Sequence, residues 1–168
     1  MVLACAGNIP TVETLAAAWM LRRDAPGLRV RVTNVVDLLA LPPPGQHPHG
    51  LSENEFTACF AADDVPVVFD FHGYPSAVHE CLHGRPAASR FHVKGYVEEG
   101  TTTTPYDLLA SNGVSRHDLA IEALRRAPGW SSSGGELAER YARERDAIRA
   151  ELRRTGQDPG WITHWTWT

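Results

Sequence analysis

Apolar and polar residues are distributed along the first third of the chain so that strand-like and helix-like segments follow one another. Met1 to Ala6 is an apolar run that stops at Gly7-Asn8, which predicts a buried strand followed by a tight turn. Pro10 lies where a first helical turn would begin, and the next apolar residues come at helical spacing, at Val12, Leu15, Ala16 and Trp19. Leu28 to Asn34 alternates apolar with charged or polar residues, as a strand with one exposed face does.

Two more strands and, besides a helix that starts at Pro105, four more helices are predicted further along the chain. Val65 to Phe71 (VPVVFDF) is the strongest candidate for a buried strand, and Phe91 to Val97 is a fourth strand. Ser52 and Glu55 have the spacing of a capping box, which favours a helix that begins there. The predicted helices span 52–61, 74–82, 115–126 and 136–154. Strands that alternate with helices indicate an α/β fold whose mostly parallel sheet is covered on both faces.

The last predicted helix carries many charges and only a thin apolar seam, formed by Leu137, Tyr141, Ile148 and Leu152. Glu136 with Arg140, and Glu139 with Arg143, have the spacing of favourable ion pairs. We therefore expect this helix on a surface or against a partner. The tail HWTWT holds two of the five tryptophans, and we expect it to dock onto this domain or onto another.

The composition bounds the class of protein. The 168 residues suit one domain, which we expect to comprise a core at about 1–127, a connector at 127–135, and a helix and tail at 136–168. A net charge of -4 argues against nucleic acid or an anionic membrane as the main partner. There is no apolar run of membrane-spanning length and no signal-peptide pattern. The three scattered cysteines indicate reduced thiols, and hence a cytoplasmic protein.

A metal site is suggested by His79, Glu80 and His83, which match the pattern HExxH. On a helix, the two imidazoles would lie one turn apart and could bind Zn²⁺, with Glu80 as general base. Glu98 or Glu99 would have to supply a third ligand. The predicted helix is short and breaks at once after His83, and eight histidines make a chance match unsurprising. We therefore reject this metal site, and a small zinc hydrolase remains only as an alternative function.

Other binding motifs are weak. His47 and His49, in a proline-rich loop, are more often solvated or bonded to backbone than bound to metal. Gly7 lies at a strand–helix turn, but the second and third glycines of a dinucleotide fingerprint are missing, and no phosphate-binding GxxxxGK[ST] occurs.

Four consecutive threonines, Thr101 to Thr104, follow the fourth predicted strand. The adjacent Glu98-Glu99 argue against a simple anion site because carboxylates repel an anion. Thr103 or Thr104 is predicted to cap a helix that has Pro105 at its first position and Asp107 in its first turn. The candidate ligand or interface contacts are Thr101, Thr102, Thr103, Thr104, His72 and Tyr74.

Longer stretches of the sequence resemble one family. ACAGNIPTVETLAAAWMLR, VRVTNVVDLLAL, HPHGLSENEF, FDFHGYPSAVHE and FHVKGYVEEGTTTTPYDLLASNGVSRHDLAIEAL are similar, in order and spacing, to the C-terminal domain of bacterial xylulose-5-phosphate/fructose-6-phosphate phosphoketolases. These are thiamine-diphosphate enzymes, related to transketolase, that cleave a ketose phosphate with phosphate to acetyl phosphate and an aldose phosphate. The resemblance implies a Rossmann-like three-layer domain with a small, mostly parallel (mixed) sheet of about five strands, as in transketolase C-terminal domains.

The resemblance also implies that the cofactor binds to other domains of the enzyme. In the family, thiamine diphosphate and Mg²⁺ bind between the N-terminal and middle domains, so we expect no cofactor and no catalytic residue in this chain. It would be a structural and assembly domain, begun at Met1 as an excised unit, and its partners would be the other domains of the same enzyme in a dimer or higher homo-oligomer. The alternative is an allosteric module that binds a small molecule or anion at the Gly7–Pro10 turn or at the threonine run.

Overall fold

A computed structural model of the protein describes residues 1–97, 102–130 and 133–167. The four predicted strands are present as β1 (Val2–Ala6), β2 (Arg31–Asn34), β3 (Val67–Phe71) and β4 (Phe91–Gly95). They form one parallel sheet in the order β2-β1-β3-β4. The sheet therefore agrees with the predicted fold, although the described ranges contain four strands rather than about five. All four are parallel because each connection between strands that are consecutive in the chain crosses one face of the sheet.

Seven helices accompany the strands in the described part of the chain. They are α1 (Asn8–Asp24), α2 (Glu53–Phe60), α3 (Pro75–Cys81), α4 (Pro105–Ser111), α5 (Arg116–Arg126), α6 (Ser133–Thr155) and α7 (Gly160–Thr163). The predicted capping box is present, because the Ser52 hydroxyl accepts from the Glu55 N–H while the Glu55 carboxylate accepts from the Ser52 N–H. None of the described helices is long and apolar enough to cross a membrane.

Both faces of the two central strands are covered. Leu3 and Val68 pack on one face with α1, α5 and α6. On the other face α2 and α3 cover the side chains of Val2, Ala4, Val67 and Phe69. This explains why β1 and most of β3 are continuous apolar runs, whereas β2, at the edge of the sheet, has mainly polar side chains and no fully buried residue.

Helix α6 packs against α5 of the same domain. Its Tyr141 is fully buried and donates a hydrogen bond to the Met20 carbonyl oxygen at 3.2 Å. The predicted pair of Glu139 with Arg143 is present at 3.7 Å. Arg140 does not pair with Glu136 as predicted, because it lies 2.5 Å from Asp24 at the end of α1. Arg140 also lies 3.6 Å from Glu144 on its own helix, so its shorter contact is with a partner across the fold.

The proline-rich loop between β2 and α2 is held by one buried arginine. The guanidinium of Arg85 lies 4.2 Å from the ring centre of Phe56. It donates to four oxygens, each at 2.7 Å: the carbonyls of Leu41, Pro42 and Leu51 and the carboxylate of Glu53. A planar guanidinium satisfies several carbonyls at once, which explains how a segment without regular structure is ordered.

Candidate functional site

A cleft of about 630 Å³ opens at the carboxyl ends of the strands. Residues within two positions of the ends of three strands line it: Asn8 after β1, His72 after β3 and Tyr96 after β4. The chain passes from β1 to β2 on one side and places β3 and β4 on the other, so the cleft lies where the strand order reverses. In open parallel sheets this is the position at which ligands bind. We call it the switch-point cleft.

Gly7 shapes one wall of the cleft. Its φ of 114° is unfavourable for any residue with a side chain, and a Cβ at this position would lie 2.7 Å from the Cβ of His72. A glycine is therefore needed for β1 to turn directly into α1. The turn brings the start of α1 against the segment that follows β3.

A buried ion pair forms the floor of the cleft. The carboxylate of Glu13 on α1 binds the guanidinium of Arg116, the first residue of α5, with contacts of 2.5 and 3.1 Å. The backbone N–H of Arg116 also donates to Glu13, at 2.6 Å. Both side chains are almost completely buried. A carboxylate at a helix N-terminus interacts favourably with the helix dipole, so Glu13 stabilises both the charge and the start of α5.

The opposite wall comes from α4 and the segment that contains α7. Asp158 accepts a hydrogen bond from the backbone N–H of Tyr106 at 3.0 Å. The phenol of Tyr106 lies 2.6 Å from Nδ1 of His117 on α5. Ile162 reaches the floor, where its carbonyl accepts from Arg116 at 3.3 Å. The C-terminal segment is thereby tied to α4 and α5 by polar contacts.

The threonines of the run lie in different environments. Thr104 caps α4, as predicted, since its hydroxyl accepts from the Asp107 N–H at 3.4 Å and Pro105 is the first helical residue. Thr103 lines the switch-point cleft and donates to the Asp107 carboxylate at 2.8 Å. Thr102 is exposed, and Thr101 lies outside the described residues.

The other two predicted contact residues, His72 and Tyr74, lie in different places. His72 lines the cleft next to Gly7, whereas Tyr74 immediately precedes α3, with 56% of its surface exposed, and is not a lining residue. The structure thus brings His72 and Thr103 to one cleft and leaves Tyr74 outside it. Ligand contact by these residues stays a prediction.

The HExxH segment does not form a two-histidine helix face. Helix α3 ends at Cys81, so His79 and Glu80 lie on it while His83 follows in a turn. Among the residues that the structure describes, no group of three His, Cys, Asp or Glu side chains could hold a metal ion. The candidate third ligands Glu98 and Glu99 lie outside those residues.

The histidines of the proline-rich loop bond locally. The backbone N–H of His49 donates to Nδ1 of His47 at 3.1 Å, and the His49 ring lies 2.8 Å from the Asp37 carboxylate. The three cysteines, Cys5, Cys59 and Cys81, are free.

Sequence reasoning missed the ion pair and Asp158. One signal was available for Glu13, which is a single acid in the apolar first half of α1, and Asp70 interrupts β3 in the same way. Burial, followed by the charge of Glu13, raises the pKa of Asp70 well above its usual range. Isolated charges within apolar runs therefore indicated which polar residues are buried. They did not indicate which side chains these residues contact.

The buried His117 should make folding sensitive to acid. Burial and the charges of Arg116 and Arg145 lower its pKa to about 4. Glu144 lies 3.8 Å away but is 43% exposed, so water screens its charge. The folded state keeps this imidazole neutral, whereas the unfolded chain protonates it near pH 6.5. Its contribution to stability is present above pH 6.5 and is lost as the pH falls towards 4.

We expect this loss to be about 3 kcal/mol, at roughly 1.4 kcal/mol per pH unit between the two pKa values. Urea unfolding of the wild type and of His117→Gln at a series of pH values measures it. The variant should show a flatter profile between pH 6.5 and 4, and the exposed His83→Gln should keep the wild-type slope. Equal slopes for wild type and His117→Gln would contradict the assignment.

The parallel sheet, the helices on both faces and the cleft at the reversal of strand order define an α/β domain of the Rossmann-like three-layer class. Within this class, the chain belongs to the XFP C-terminal domain family, whose sequence profile matches residues 1–167.

Curated relatives carry the name "Probable phosphoketolase". The protein of Mycobacterium avium is 48% identical over 167 residues, which are 99% of this chain and 21% of the relative. Those of Brucella abortus and Pseudomonas putida are 44% and 43% identical over 168 residues, which are 100% of this chain and 21% of each relative. The chain therefore spans about a fifth of the length of the relatives it matches.

Proposed function

We propose that the chain is the non-catalytic C-terminal structural and assembly domain of a phosphoketolase. The parent enzyme, a carbon–carbon lyase, would cleave xylulose 5-phosphate or fructose 6-phosphate with phosphate to acetyl phosphate and an aldose phosphate. The observation that carries this proposal is the family match over residues 1–167, together with the 21% share of each relative that the chain covers. The whole chain would act as one domain, with its core at about 1–127, a connector at 127–135 and a helix and tail at 136–168.

The thiamine diphosphate and Mg²⁺ of the parent would be held outside this chain. A magnesium diphosphate needs several oxygen ligands directed to one point. The diphosphate itself supplies some of these oxygens, so one or two carboxylates of the protein are enough, and the family resemblance places them in the other domains. The contribution of the domain would be structural, through the surfaces with which it contacts the rest of the enzyme.

We propose that a tryptophan patch forms the main contact with the N-terminal and middle domains. The patch consists of Trp19, Trp161, Trp165 and Trp167, which line two neighbouring surface cavities together with Arg23. Trp161 is 57% and Trp167 47% exposed, and the Arg23 guanidinium lies 4.8 Å from the ring centre of Trp19. Tryptophan and arginine are the residues enriched at the energetic centres of protein interfaces. The complete enzyme would be a cytoplasmic dimer or higher homo-oligomer.

A mixing experiment tests the assembly role. The 168-residue chain and the remainder of its parent enzyme are produced separately, and acetyl phosphate formation is measured for each and for the mixture. We expect no product from the chain alone and a gain in activity, or in the half-life of activity, when the two are mixed. Acetyl phosphate from the chain alone would overturn the proposal, and so would a remainder whose activity and half-life the chain leaves unchanged.

The same assay locates the contact surface. Trp161→Ser with Trp167→Ser should raise the concentration of chain needed for half of the gain by about tenfold or more, since interface tryptophans commonly contribute over 1–2 kcal/mol. The matched control is Val36→Ser, which changes an apolar residue that is 93% exposed at another surface. A loss confined to Val36→Ser would place the interface on that other surface.

A further inference from the structure

The tryptophan patch includes one cavity that is lined by tryptophan and arginine side chains. It has a volume of about 430 Å³, and its lining residues are Trp19, Arg22, Arg23 and Trp167. The first three belong to the last two turns of α1, and Trp167 belongs to the C-terminal segment. Aromatic rings with arginines beside them are typical of surfaces that bind a partner chain. The cavity therefore adds positive charge to the apolar area of the patch.

The two arginines of this cavity have different surroundings. Arg23 donates two hydrogen bonds to the Asp24 carboxylate, at 2.7 and 2.8 Å. Arg22 is exposed, and the nearest acid along the chain, Asp24, pairs with Arg23 and Arg140 instead. Within the part of the chain that the structure describes, Arg22 takes part in no ion pair. Its guanidinium therefore presents a positive charge at the surface, beside the tryptophan rings.

The charge of this surface is opposite to that of the whole chain. The chain has a net charge of -4, whereas the charged side chains among the described lining residues of the cavity are two arginines. The neighbouring cavity adds the acid Glu144, which lies 3.6 Å from Arg140 and so has a cationic partner. A positive aromatic surface on an otherwise acidic domain is complementary to a partner surface of negative charge.

We propose that this cavity binds an acidic segment of the N-terminal and middle part of the parent enzyme, with an aspartate or glutamate carboxylate on Arg22 and a neighbouring apolar side chain against Trp19 and Trp167. The proposal rests on the assembly role and specifies the chemistry of the partner surface. The chain spans 21% of its relatives, so most of the enzyme lies outside it and can supply this segment. A guanidinium binds a carboxylate through two parallel hydrogen bonds, which makes arginine well suited to this contact.

Charge reversal at Arg22 tests the contact in the mixing experiment. At about 0.05 M salt, where exposed charges are weakly screened, Arg22→Glu should raise the concentration of chain needed for half of the gain at least about tenfold, because repulsion replaces the ion pair. At about 0.5 M salt the difference from the wild type should shrink to less than about threefold, since salt screens exposed charges. The loss in Trp161→Ser with Trp167→Ser should change little with salt, because the tryptophans contribute apolar contacts.

The matched control is Arg125→Glu. Arg125 is likewise an exposed arginine in the last turn of a helix, so both variants make the same change in net charge and lose the same kind of interaction with a helix dipole. Arg125→Glu should stay within about twofold of the wild type. An equal loss in both variants would mean that net charge, and not this cavity, governs the association, and would overturn the proposal.

Circular dichroism melting shows whether each variant folds. If Arg22→Glu does not, Arg22→Gln provides the test, with an expected loss of about threefold or more from removal of the charge alone. A folded Arg22→Gln that matches the wild type at low salt would then contradict the contact.

A cross-link identifies the residue that binds Arg22. Lys94 is the only lysine of the chain, so Arg22→Lys introduces a single new side-chain amine. A carbodiimide, which joins an amine directly to a carboxylate, should link position 22 to an aspartate or glutamate of the remainder of the enzyme, and mass spectrometry of the digested product locates it. Arg125→Lys should give no such link. Absence of a link from position 22 in a mixture that shows the gain would contradict the proposal.

The mixing experiment also separates this proposal from the assembly role. If the wild-type chain gives the gain and folded Arg22→Glu gives it at the same concentration, the assembly role stands and this contact is wrong. If the wild type gives no gain, the assembly role fails, and the contact that rests on it fails as well. Sedimentation of the chain alone tests a different occupant: a dimer that Arg22→Glu dissociates would assign the cavity to a second copy of this chain and overturn the proposal.

Discussion

Replacing Glu13 by leucine should lower the free energy of unfolding by about 3–5 kcal/mol, because it leaves the buried guanidinium of Arg116 without its counter-charge. The backbone N–H at the start of α5 loses its acceptor in the same step. A surface pair of the same chemistry contributes at most about 1 kcal/mol, since water screens both charges. The large effect therefore depends on burial rather than on the presence of an ion pair.

A double-mutant cycle with Arg116→Met separates the pair from its individual members. When both charges are replaced by apolar side chains of similar size, no uncompensated charge stays buried, and stability should return to within about 1–2 kcal/mol of the wild type. Urea unfolding of the wild type, both single variants and the double variant measures the coupling. The control is Glu139→Leu with Arg143→Met, an exposed pair on α6. A double variant as unstable as the sum of the singles would show that the two residues act independently.

Replacing Arg85 by methionine should cost about 3 kcal/mol or more, since three loop carbonyls lose their shared donor and two of these hydrogen bonds are buried. Methionine preserves much of the packing on Phe56, so the effect reports the hydrogen bonds. Arg85→Lys should recover only part of the loss, because an ammonium lacks the planar fork that reaches several carbonyls at once.

Unfolding measurements combined with limited proteolysis at residues 42–50 test this prediction. The loop of Arg85→Met should be cut faster than that of the wild type, while cleavage elsewhere changes less. Arg143→Met, which replaces an exposed arginine of α6, is the matched control and should change the free energy of unfolding by about 0.5 kcal/mol or less. Full stability of Arg85→Lys would mean that charge alone holds the loop.

The elements of this fold were predictable because local rules specify them. The strands follow from apolar runs and, at Leu28 to Asn34, from alternation of apolar and polar residues. Three helix starts follow from Ser52, Thr104 and Ser115, whose hydroxyls each accept from a backbone N–H three residues later. The two histidines of the HExxH pattern do not share a helix for an equally local reason, since α3 ends at Cys81 before the second histidine. The strands and helix caps, which depend on neighbours in sequence, were predicted accurately, whereas the equally local pair of Glu136 with Arg140 was not.

The candidate site was not predictable in the same way, because its parts are distant in sequence. Glu13 and Arg116 are 103 residues apart, and Tyr106 and Asp158 are 52 apart. Arg140 could have paired with Glu136 on its own helix, yet it pairs with Asp24 across the fold. Each of these choices depends on which side chains become buried together.

The amino-acid sequence alone established the α/β class, the parallel order of strand and helix, the helix caps and the family resemblance, because backbone hydrogen bonding and apolar periodicity act over a few residues. Only the tertiary structure decided where the polar interior lies. Folding brings the ends of β1, β3 and β4 to one edge of the sheet, and there it buries Nη1 of Arg116 and Oδ1 of Asp158, neither of which has a hydrogen-bond partner among the described residues. A charge in a linear sequence has no preferred partner until burial removes water and makes one necessary.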